Sequence, residues 1–274
     1  MTEIKHSPSE NQTAILGAYC KNDIATVAAL GCIAALFTIE NHELGHAFFA
    51  HLYGAKHFFL ALYMDSTPEP TGIGARWEAA GGTIVNMLQG SIAYLLFRAL
   101  RSKVSVSTAY FLWLFSTLNF LMSPSYLFWS AATENGDWAA FISGWPHHAL
   151  FNAFMGIFGL IVFLLFTRFL AYDLATFSDN LLVLTLVPYF SSIVIASTSS
   201  LISPLGLPMT LIGALPATSI GFGSLSFMAP WARRLRGDRV PIGNISRSGL
   251  ILLLGFISAL IFLYIGRGVT WSTN

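Results

Sequence analysis

The sequence predicts an all-α polytopic membrane protein of about seven transmembrane helices, with a short β-hairpin-like loop after the first. Three observations carry this. Of 274 residues, 55% are hydrophobic and only 10% charged, against roughly 25% charged in an ordinary soluble domain. Apolar segments near 24–53, 79–100, 106–130, 149–171, 181–203, 206–229 and 249–266 each come close to the ~20 residues that cross a bilayer as a helix. Between the first two lies His57-Phe58-Phe59-Leu60-Ala61-Leu62-Tyr63, then turn formers from Asp65 to Gly74 with Pro68 and Pro70. That stretch reads as strand, loop and returning strand.

The elements follow in order. Residues 1–23 form a polar tail rich in Ser, Asn, Gln and Thr, too poor in apolar residues for a signal peptide. The first apolar segment is expected to stay as an uncleaved anchor, since cleavage there would remove or strand the stretch from His42 to His46. Helical throughout, it would reach about 45 Å at 1.5 Å per residue, so one end should protrude or tilt. The fifth and sixth segments carry Pro188, Pro204, Pro208 and Pro216, which predicts kinked helices or a re-entrant element. Cys20 and Cys32 are too few for a disulfide framework. A net charge of +1 gives nucleic acid nothing to bind; the expected surroundings are the lipid bilayer.

Seven spans would put Lys5, Lys21, Arg98, Arg101, Lys103, Arg168, Arg233, Arg234, Arg236, Arg239 and Arg247 on one side. The other side would hold only Lys56, Arg76 and Arg267. Cytoplasmic loops concentrate Lys and Arg, so the N-terminus is expected in the cytoplasm.

The chemistry concentrates in the first segment. An almost wholly apolar run from Ile24 to Phe37 leads into Glu40 and then His42-Glu43-Leu44-Gly45-His46. Two histidines four residues apart point from one face of a helix and can grip one zinc ion. The glutamate between them is placed to take a proton from water on the metal. Ionisable groups in a membrane span are costly, which favours a functional reading. A catalytic zinc usually takes three protein ligands and leaves a fourth position for water. His51, Glu78, Glu134, Asp137, His147 and His148 compete for the third place. His51 is turned off the ligand face. Asp137 ranks first because Gly136 before it permits a turn back toward the site and Trp138 after it suits the membrane boundary.

With these residues in view, the chain resembles the site-2 protease family of intramembrane zinc metallopeptidases. That family carries a His-Glu-x-x-His motif in one core span, a glycine-bearing segment ending in asparagine in the next, and an aspartate motif at the third. Here those read as His42 to His46, then Ala80-Gly81-Gly82-Thr83-Ile84-Val85-Asn86, then Asn119 through Gly136-Asp137-Trp138. The similarity covers residues 24–140, a three-helix catalytic core; residues 141–274 look like the additional helices of bacterial members. The resemblance implies His42, His46 and Asp137 as ligands of Zn2+, Glu43 as catalytic base, and Asn86 as a residue that positions the substrate backbone. It also implies a bacterial cytoplasmic membrane and a membrane-protein or peptide substrate. The sequence departs from the family at Thr83, where proline is common, and at Gly136-Asp137-Trp138, where Leu-Asp-Gly is usual. Many members also open the site to the cytosol, whereas the charge count puts it on the opposite side.

The function expected is therefore a zinc metalloendopeptidase that hydrolyses a peptide bond in or near a transmembrane segment. The alternative is a non-proteolytic, metal-binding membrane scaffold that uses the same fold to bind partner helices.

Overall fold

The computed structural model describes residues 21–60, 62–205, 215–238 and 240–271. Cys20, most of the polar tail and the opening of the expected sixth span lie outside the described residues.

Helix α1 runs Ile24–Leu52 and starts at Asp23, whose carboxylate accepts from the Thr26 backbone N–H at 2.8 Å and the Thr26 hydroxyl at 2.7 Å. Such a cap satisfies amides that have no partner within the first turn. At 29 residues the helix is about 44 Å long. Strands β1 (Lys56–Leu60) and β2 (Tyr63–Thr67) follow and pair antiparallel, Phe58 facing Asp65. Helices α2 (Ile73–Leu100) and α3 (Val106–Thr133) come next, α3 capped by Ser105. A five-residue helix α4 (Asp137–Phe141) precedes α5 (His148–Leu174) and α6 (Leu181–Leu201). Then come α7 (Leu215–Gly221), α8 (Leu225–Arg236) and α9 (Gly249–Gly266). A last strand, β3 (Val269–Trp271), joins the outer edge of β1, giving the order β2-β1-β3.

Six of these helices, α1, α2, α3, α5, α6 and α9, are long and apolar enough to cross a membrane. About seven spans were expected, with the fifth and sixth kinked or one of them re-entrant, and the sixth is the one that falls short of a span. Helix α6 starts beside the start of α1, since Asn22 donates to Ser178 Oγ at 3.0 Å and to Asn180 O at 3.4 Å. Helix α9 also starts there: Asp23 N–H donates to Ile245 O at 2.8 Å, and Ser248 N–H to Thr26 Oγ1 at 3.2 Å. The chain between α6 and α9 must therefore come back across the bundle. It does so through α7 and α8, of 7 and 12 residues, neither able to span alone. Pro216 and Pro230 each remove a backbone donor in that stretch, and Phe222-Gly223-Ser224 turns between the two helices.

The main core lies between α1, α3, α5 and α6. Trp113, Tyr110, Phe97 and Phe177 are fully buried. The polar ends of two rings reach neighbouring backbones, Trp113 Nε1–H to Leu170 O at 3.1 Å and Tyr110 O–H to Leu184 O at 2.6 Å. The outer faces run the other way. Leu150, Phe154, Ile157 and Leu165 on α5 are mostly exposed, an apolar surface that suits lipid and not water.

Candidate metal centre

The site forms where α1, α2 and α4 meet. On α1, His42 and His46 lie one helical turn apart and share a face; they are 1% and 7% exposed. Their Nε2 atoms are 3.1 Å apart. Asp137 approaches both through one carboxylate oxygen, 3.2 Å from His42 Nε2 and 3.4 Å from His46 Nε2. These three residues are one group whose donor atoms could hold a metal ion.

Glycine makes the approach possible. A Cβ at Gly82 would sit 2.5 Å from His42 Cε1 and 2.6 Å from its Nε2, so only a bare backbone lets α2 cover that ring. One turn along α1, Gly45 and Gly81 lie back to back. A Cβ at Gly45 would meet Gly81 O at 2.5 Å, and one at Gly81 would strike Gly45 O. Small residues at such crossings let helices in lipid pack backbone to backbone.

The histidines are oriented from behind. His46 Nδ1–H donates to the Glu78 backbone carbonyl at 2.7 Å. A carbonyl can only accept, so this bond fixes the tautomer and leaves the Nε2 lone pair bare. The Asn86 side-chain amide nitrogen lies 3.1 Å from His42 Nδ1. In this orientation the amide donates to Nδ1; presenting its oxygen instead, which would put the proton on Nδ1 and free Nε2, requires the Gln89 amide to turn over with it. Asn86 is itself held. Gln89 donates to Asn86 Oδ1 at 3.1 Å and to Asn119 Oδ1 at 2.6 Å, Asn41 donates to Gln89 at 2.8 Å, and Asn119 donates to Thr38 Oγ1 at 3.1 Å. A chain of amides thus links three helices behind His42.

Asp137 is placed by a sharp turn. Glu134 and Gly136 both take positive φ, 51° and 81°, and a Cβ at Gly136 would press on the Trp129 ring at 2.6 Å. Trp138 Nε1–H then donates to Thr83 Oγ1 at 3.2 Å. Thr83 of α2 and Trp138 of α4 therefore meet each other beside the site. Burial opposes ionisation of Asp137, but the two imidazoles outweigh it and hold the carboxyl well below the usual carboxylate range.

Glu43 is 6% exposed, and the backbone amide of Met64 in β2 interacts with its carboxylate. The sheet is thereby fixed against the site, with β2 as the strand nearest Glu43. Tyr126 of α3 packs on the His42 ring at 5.2 Å between centroids.

The other sequence candidates for the third ligand stand elsewhere. His51 is exposed and faces His57 at 5.9 Å. The Glu78 carboxylate accepts from Ser66 Oγ at 2.6 Å, so that residue serves His46 through its backbone and not its side chain. Glu134 caps α3, and His147 precedes α5 with φ of 59°, both exposed; His148 opens α5. Gln89, Asn41 and Tyr126 were not singled out from the sequence. The two amides carried a readable signal, since polar amides inside apolar spans tend to bond across helices. Tyr126 carried none, being one of many aromatics. Compared with protein-family models, characterised proteins and solved structures, the chain finds no match.

Proposed function

We propose that the chain is an intramembrane zinc metallopeptidase with His42, His46 and Asp137 as metal ligands and Glu43 as general base. The observation that carries this reading is the convergence of three donor atoms next to a buried glutamate. A tetrahedral zinc with bonds of about 2.0–2.1 Å needs its ligand atoms about 3.3 Å apart; the three separations here are 3.1, 3.2 and 3.4 Å. Two nitrogens and one oxygen also suit that ion and leave one position open. A bound zinc supplies Lewis acidity, lowering the pKa of water toward ~7 and polarising a peptide carbonyl.

The protein's own residues do the rest. Glu43 takes the proton of the attacking water and returns it to the departing amine nitrogen. Glu78 O holds the His46 imidazole in the tautomer that exposes Nε2, and Asn86 holds the His42 ring in place from its Nδ1 side. A peptide bond within a helix has its carbonyl already hydrogen-bonded, so the substrate must unwind before attack. An extended segment laid along the outer edge of β2 would gain backbone hydrogen bonds as it unwinds. The basic residues Arg98, Arg101, Arg233, Arg234 and Arg236 lie toward the end of the bundle where α1 starts. By the positive-inside rule we orient that end to the cytoplasm and the metal centre toward the opposite face.

The test is zinc content together with cleavage of membrane-protein substrates, for purified wild type, Glu43→Gln and Asp137→Ala. About one zinc per chain is expected in wild type and Glu43→Gln, with cleavage about 10²–10⁴-fold slower in the latter. Asp137→Ala should lose the metal. Full cleavage by Glu43→Gln would overturn the peptidase reading and leave the metal-binding scaffold.

A further inference from the structure

We infer that the far face of α1's end and the start of β1 bind one anionic membrane phospholipid, its headgroup at Lys56 and His57 and an acyl chain along Leu44, Ala47 and Phe48. A cavity of about 300 Å³ opens there, lined also by His51. Leu44, Ala47, Phe48 and His51 recur at positions i, i+3, i+4 and i+7, one stripe of the helix. That stripe lies opposite His42 and His46, so this site is separate from the metal centre. It is far too large for a single water, whose share of the liquid is about 30 Å³.

The polar end of the cavity asks for a partner. His57 is 8% exposed, and among the described residues neither of its ring nitrogens has a hydrogen-bond partner. Buried polar groups nearly always have one. Burial, then the neighbouring His51, holds His57 below the usual imidazole range; neutral, it offers one N–H to a phosphate oxygen. Lys56 adds an exposed positive charge, and among the described residues no carboxylate lines the cavity. The apolar floor continues into the outer surface of α1, where Leu44 is 42% and Phe48 59% exposed, so an occupant arrives from the bilayer. Lys56 and His57 come just after α1 ends at Leu52 and Tyr53, the depth of a headgroup. A free phosphate leaves the apolar floor unfilled, and a zwitterionic lipid brings its own cation toward Lys56.

Native mass spectrometry of the full chain in detergent, titrated with phosphatidylglycerol and with phosphatidylcholine of identical chains, tests this. Wild type should take up one phosphatidylglycerol in preference to phosphatidylcholine by about tenfold, as one charge-assisted hydrogen bond provides. Lys56→Glu should abolish that preference, His57→Phe should weaken uptake of both lipids, and glycerol phosphate should not displace the lipid. Lys56 is exposed, so its substitution leaves the fold intact even if His57→Phe does not. Equal binding of the two lipids, a preference retained in Lys56→Glu, or displacement by glycerol phosphate would overturn the proposal.

Discussion

The two halves of the bundle bury polar side chains in different ways. In α1 to α3 the buried amides and imidazoles bond across helices: Asn86 with His42, Gln89 with Asn119, Asn119 with Thr38. In α5 and α6 the buried hydroxyls bond back to their own helix. Thr167 donates to Phe163 O, Thr185 to Leu181 O, Ser199 and Ser200 to Ala196 O. Ser192 reaches across as well, to Gly31 O at 3.4 Å. A bond within a helix says nothing about which neighbour is present, whereas a bond between helices fixes distance and rotation. The first half is therefore specified largely by amide and imidazole contacts around a site; in the second, Asp173 accepts from Tyr94 of α2 at 2.8 Å while the Thr167 and Thr185 hydroxyls stay within their own helices.

Substitutions can break this contrast at three depths. The largest effect is expected from Gly82→Ala. Its Cβ would enter the His42 ring, so either α2 backs away or the imidazole turns, and overpacking of this kind costs typically about 1–3 kcal/mol. Thermal unfolding of the purified protein should show that loss together with weakened metal binding. A variant of wild-type stability and metal content would mean that the helices approach less closely than Gly82 implies. Next comes Asn86→Ala, which leaves the fold largely in place but releases His42 from behind. Removing such a supporting contact lowers metal affinity by about 10–100-fold, readable by competition with a chelator. Affinity equal to wild type would relegate the amide chain to helix packing. The smallest effect is expected from Thr185→Val in α6. Its hydroxyl serves only its own helix, and hydrogen bonds inside membranes average about 0.6 kcal/mol. A loss of several kcal/mol there would erase the distinction between the halves.

Much of the site was legible because it lies within single segments. The i, i+4 spacing of His42 and His46 alone puts both on one face of α1, and the same arithmetic turned His51 away. Asp137 could be ranked but not selected over Glu78 by spacing, since both sit just outside spans. Their difference lies in Ser66, which occupies the Glu78 carboxylate, and in the turn at Gly136 that swings Asp137 inward. The broken return between α6 and α9 was half legible. Proline content foretold the disruption, while apolar composition alone suggested one more full span.

Composition and periodicity by themselves determined that this is a helical membrane protein with a two-histidine face in its first span and a carboxylate between them. Tertiary structure decided which carboxylate completes the group, which backbone and amide groups aim the imidazoles, and how the chain returns before its last helix. The reason is physical. Helical geometry fixes the relation of residues a turn apart. Which residues meet across helices depends instead on how closely two backbones approach, and here Gly45, Gly81 and Gly82 set that distance.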